Sequence, residues 1–125
     1  MRRAVALVAL SALLAGCGSH HTQAPPEPKL PRALAHAWSR EARAVAAALI
    51  ADKACLAQQR AERLLGDVVA AINAGRIPHV LLEQLTSLVN ALPAQIACTP
   101  PDGRLGQKAE ADADNLASWL LAHSR

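Results

Sequence analysis

Tyrosine and phenylalanine are absent from this chain of 125 residues, two tryptophans supply its whole aromatic content, and its six glycines are scattered without pattern. With no Tyr or Phe to stack on bases and no basic run to track phosphates, the chain has no footing for nucleic-acid binding. No G-x-x-x-x-G-K arrangement occurs, which removes the usual phosphate cradle. Ser11, Ser19, Ser39, Ser87, Ser118 and Ser124 sit in no nucleophile motif, and no pair of acids is set around room for a substrate, so the chain does not read as an enzyme and no cofactor is expected. The three cysteines form no C-x-x-C pair, which argues against a zinc knuckle or a dithiol redox site. Alternating aromatic and β-branched residues are also missing, so strands are not expected.

What is present begins at the N-terminus. Arg2 and Arg3 precede an uncharged run from Ala4 to Ala15, which leads into Leu14-Ala15-Gly16-Cys17. At about 1.5 Å per helical residue the run is too short to cross about 30 Å of hydrocarbon, and it reads as a removable signal peptide, residues 1–16. The Leu-Ala-Gly-Cys ending resembles the lipobox of bacterial lipoproteins. That resemblance implies cleavage before Cys17, lipid (palmitate among the acyl chains) on its sulfur, and a mature protein held on the extracytoplasmic face of the cell membrane. Gly18 differs from the Asp that retains lipoproteins at an inner membrane, which implies the outer membrane if the cell has two. No further run is long enough to span a bilayer.

Residues 17–29 form the next segment. Pro25, Pro26 and Pro28 stand among polar residues with no apolar period, which predicts a flexible tether that reaches roughly 3 Å per residue. Removing residues 1–16 leaves 109 residues, room for one small domain at 30–125. The leader takes two of the 13 cations with it, leaving eleven against ten acids, so the mature chain is nearly neutral.

Alanine-rich sequence from Leu30 onward predicts an all-α fold, a small three- to four-helix bundle. Pro31 suits a first helical turn, and Leu34, Trp38, Val45 and Leu49 mark one face of helix one. No Gly or Pro falls between Arg32 and Arg63, and only Asp52 offers a cap, so helices one and two are either separate or continuous. Helix two, about 54–74, carries Leu64, Leu65, Val68 and Ile72, and Gly75 closes it. Helix three, about 78–97, has the clearest period in Leu81, Leu82, Leu85, Leu88, Val89, Leu92 and Ile96, with Pro93 expected to kink its end. Thr99-Pro100-Pro101-Asp102-Gly103 predicts a turn, and helix four is expected over about 107–123, with Leu116, Trp119, Leu120 and Leu121 facing inward.

Cys55 and Cys98 form an even pair in a chain marked for export, which points to a disulfide rather than two buried thiols. Their sequence midpoint falls between Arg76 and Ile77, as does the midpoint of the turn from Gly75 to Pro78. Two antiparallel helices of equal length would therefore return the cysteines to one level, giving a disulfide-stapled helical hairpin.

Few side chains qualify as site candidates. With alternating helix directions, His36, His79 and His123 fall near one pole, and imidazoles from separate helices can ligate zinc or copper. Helical phase opposes that reading, because His36 lies two residues from both Leu34 and Trp38, turned about 200° from the apolar stripe. Solvent-facing histidines and no metal are expected. Trp38 and Trp119 are read as core rather than pocket edges. Glu110, Asp112 and Asp114 lack calcium-loop spacing and are read as complementing the positive end of helix four.

The block Ala71-Ile72-Asn73-Ala74-Gly75-Arg76-Ile77-Pro78 with Cys98-Thr99-Pro100-Pro101 is similar to small helical domains of uncharacterised envelope proteins in GC-rich bacteria, over roughly 51–101. The functional expectation is a non-catalytic, lipid-anchored helical module, a binding or structural component of the envelope that meets a protein partner through an exposed face. The alternative is a carrier or sensor for a small apolar ligand, which would need a closed cavity between the helices.

Overall fold

The computed structural model describes residues 24–98 and 103–124, with side chains from 107 onward in the second stretch. The leader, Cys17 and the Thr99–Asp102 part of the turn lie outside the described residues. Among the described residues four helices follow one another: α1 (Arg32–Ile50), α2 (Ala54–Asn73), α3 (His79–Gln95) and α4 (Gly103–Ala122). Among the described residues the only β-type pairing is a single bridge between Leu30 and Ser124, so the fold is all-α.

Each helix packs on two others. The order around the bundle is α1, α2, α3, α4 and back to α1, and the diagonal pairs do not approach each other. Neighbours run antiparallel. The Leu30 amide donates to the His123 carbonyl at 2.6 Å, joining the start of α1 to the end of α4. The Cys55–Cys98 disulfide joins the start of α2 to the far end of α3, with Cα atoms 4.2 Å apart. The hairpin expected from the cysteine spacing is therefore present, with its turn and its staple at opposite poles.

Helices α1 and α2 are separate, and the break is a capping device that lacks glycine. Asp52 adopts the left-handed conformation with φ 55°. Its amide donates to the Leu49 carbonyl at 3.0 Å and the Lys53 amide donates to Ala48 at 2.8 Å. This pair of reversed bonds satisfies the last carbonyls of the helix, and Asp tolerates the left-handed region better than most residues. The same pattern closes α2, where Gly75 has φ 67°, its amide donates to Ile72, and Arg76 donates to Ala71. Asp52 thus ends the first helix instead of opening the second, which corrects the role read from the sequence.

Helices α1 and α3 begin alike, each with proline at the capping position, and the Pro31 and Pro78 carbonyls accept the first-turn bonds from Ala35 and Leu81. Pro93 lies inside α3, which ends two residues later when Ile96 turns extended. Helix α4 starts at Gly103, four residues before the expected 107, so Gly103 and Gly106 are helical despite their poor propensity.

Among the described residues, ten of the 23 buried hydrophobic side chains are alanine. Trp38, Val45, Leu64, Val68, Leu85, Val89, Leu92, Leu116 and Leu120 fill the core together with Leu30, which is wholly buried ahead of α1. On α1 the buried line runs through Ala35, Ala42 and Ala46, while Leu34 and Leu49 are only half-buried at its edge. Ala109, Ala113 and Ala117 play the same part on α4. These two helices share the most extensive contact in the bundle, as small side chains at a seam allow close backbone approach.

Candidate functional site

Two poles organise the side chains that could carry chemistry. At the disulfide pole, Cys55 and Cys98 are both solvent-exposed and covalently joined, so neither offers a thiol. Near the same pole, Lys108 donates to Asp112 at 2.7 Å one turn along α4 and to the Gln95 side-chain oxygen at 3.1 Å across the α3–α4 junction. The hydrogen bond from Lys108 holds the Asp112 carboxyl below its ordinary range, outweighing the opposing effect of partial burial. Because α4 begins at Gly103, Glu110, Asp112 and Asp114 do not occupy its first turn. Their expected role toward the helix dipole is therefore corrected: Asp112 instead serves the Lys108 bridge.

At the opposite pole the alternation of helices gathers His36, His79 and His123. His36 and His79 are exposed, while His123 is half-buried and stacked on Trp119 with ring centroids 4.2 Å apart. His123 Nδ1 donates to the Trp119 carbonyl at 2.8 Å. Among the described residues no group of three histidine, cysteine or acidic side chains is close enough to hold a metal ion. Trp38 is core, as expected, with 3% of its surface exposed. Trp119 is packed at the core edge, and its buried Nε1 finds no acceptor among the described residues.

One surface feature brings polar groups together, and the sequence reading did not anticipate it. Between the first half of α1 and the second half of α2 runs an open groove of about 410 Å³. Leu34, Ala37 and Trp38 contribute apolar lining, and Arg40, Arg63 and Arg76 are charged groups along it. Glu41 and Asp67 also line it; Glu41 is paired with Arg60 at 3.4 Å, whereas Arg40, Arg63 and Arg76 make no ion pair among the described residues. Arg76 is shared with a second open hollow of about 370 Å³, where Ile72, Ile77, Pro78 and Leu82 supply apolar surface beside His79. Antiparallel packing explains the convergence: residues more than twenty positions apart in the chain come level, a relation that no local motif records.

Guanidinium groups bind carboxylates and phosphates through paired hydrogen bonds, and they stay protonated throughout the physiological range. An arginine-lined groove is therefore suited to holding an anion and unsuited to proton abstraction. Comparison with protein-family models, with curated proteins and with solved structures finds no match.

Proposed function

We propose that this chain is a non-catalytic, lipid-anchored helical module on the extracytoplasmic side of the cell envelope, where it binds another envelope component through an exposed face. The carrying observation is the division of labour among three cysteines. Cys55 and Cys98 are joined, as suits an oxidising compartment, while Cys17 falls in the sequence at the end of a lipobox-like leader. The resemblance implies lipid on Cys17 and, with Gly18 after it, the outer membrane where two membranes exist. Among the described residues no helix is long and apolar enough to cross a membrane, so attachment in this reading rests on the lipid. The arginine-lined groove supports the binding role. A carrier for apolar ligands would need an enclosed cavity, whereas the two hollows described above are open to solvent.

Crosslinking in intact cells followed by mass spectrometry tests the binding role. Recovery of a reproducible envelope protein joined to this chain is the expected result. Recovery of the chain alone at high crosslinking yield would overturn it.

A further inference from the structure

We propose that the groove between α1 and α2 is the docking site for an acidic, partly apolar peptide segment of an envelope partner, its carboxylates held by Arg40, Arg63 and Arg76. The inference rests on the binding reading above and names the chemistry of its ligand. Charge complementarity selects the sign. Along the groove, three guanidiniums face Asp67 alone once Glu41 is paired with Arg60. All three arginines are exposed, and none makes an ion pair among the described residues. Their hydrogen-bonding capacity is available to a ligand carboxylate in two-pronged geometry.

Shape selects an extended segment. A lone inorganic anion would satisfy the guanidiniums and leave the apolar lining of Leu34 and Ala37 uncovered. The adjoining hollow around Ile77 and Leu82 extends the surface past Arg76 toward the α2–α3 turn. A ligand that fits both hollows alternates carboxylates with apolar side chains along an extended backbone. A bilayer surface is flat and does not enter a trough on the flank of a bundle, so a peptide is favoured over anionic lipid headgroups. The Pro-rich tether, at roughly 3 Å per residue, leaves that flank reachable by a neighbouring protein.

The test uses the chain purified as the cell makes it, with whatever processing residues 1–17 have undergone. The probe is a short fluorescent peptide of alternating Glu and Leu; the comparison probe replaces Glu with Gln, and vesicles of phosphatidylglycerol form a separate arm. The Glu peptide is expected to bind with saturation and more weakly as salt rises, and the Gln peptide to bind far less. R40A/R63A should weaken binding about tenfold, whereas R43A/K53A, which removes equal charge from exposed positions outside the groove, should leave it unchanged. Matching helical spectra and melting temperatures confirm that both variants fold. Equal binding of the two peptides, an equal loss in both variants, or groove-dependent binding of vesicles without binding of the Glu peptide would each overturn the assignment. A crosslinked partner recovered from cells alongside any of these results would leave the module's binding role standing while removing this groove as its site.

Discussion

Breaking the Cys55–Cys98 link should cost this domain a large part of its stability. The disulfide closes a loop with a sequence separation of 43, and a chain-entropy treatment of such a loop gives about 4 kcal/mol. Small domains hold roughly 5 to 15 kcal/mol in total, so the staple is a large part of the margin. The structure isolates this effect. Both cysteines are exposed, so replacing them with serine opens no cavity and buries no hydroxyl. The loss should therefore arise in the unfolded chain, which gains conformations that the cross-link forbids. Urea unfolding of C55S/C98S, followed by helical circular dichroism, is expected to show a drop of about 4 kcal/mol. In thermal unfolding that corresponds to roughly 15 to 30 °C for a domain of this size. Reductant should produce the same shift in the unaltered chain and none in the variant. A loss below about 1 kcal/mol would refute the reasoning, because it would mean that the unfolded hairpin gains little freedom when the link is cut.

Three further perturbations probe other features of the fold. Asp52 and Gly75 occupy equivalent left-handed positions with opposite fitness: Asp52→Gly should raise stability by roughly 0.5 kcal/mol, and Gly75→Ala, where a Cβ meets open space, should lower it by about 1 kcal/mol through conformation alone. Equal effects of the same sign in denaturant titrations would refute the capping account. Ala42 is wholly buried at the α1 seam, so Ala42→Leu should destabilise the fold by roughly 1 to 3 kcal/mol, and an unchanged midpoint in urea would show that the seam has spare room. Asp112 has a folded-state pKa below its ordinary value of 3.8, so its contribution is complete above that value and fades as pH falls through the lower folded one. Lys108→Met should cost about 0.5 kcal/mol near neutral pH and reduce the loss of stability on acidification below pH 4, read from unfolding curves across that range.

Helix type, helix number at the upper end of the expected range and the stapled hairpin were all legible in the residues, because apolar spacing and the Gly75 turn are local signals. The boundary between α1 and α2 was harder, since Asp52 performs a task usually given to glycine and nothing in its neighbours marks the left-handed turn. Of the four residues read as the inward face of α1, Trp38 and Val45 are buried, while Leu34 and Leu49 lie at its edge and Ala35, Ala42 and Ala46 complete the buried line. Alanine carries little hydrophobic signal by itself, and its value here lies in letting α1 approach α4, a property of the pair and not of either sequence. Helix α4 begins early despite the poor propensity of Gly103 and Gly106, and it leads directly into the buried positions Ala109, Ala113 and Leu116. The arginine groove was invisible for the same reason as the seam: Arg40 belongs to α1, Arg63 and Arg76 to α2 and the turn after it, and only antiparallel packing places them along one groove.

The most direct test of the central claim is the intact mass of the chain recovered from cells, measured before and after reduction. The expected product is a polypeptide that begins at Cys17, carries the added mass of lipid acyl chains, fractionates with membranes, and gains the mass of two hydrogens on reduction of Cys55 and Cys98. A soluble chain that retains residues 1–16 and shows three free thiols without reduction would contradict that claim.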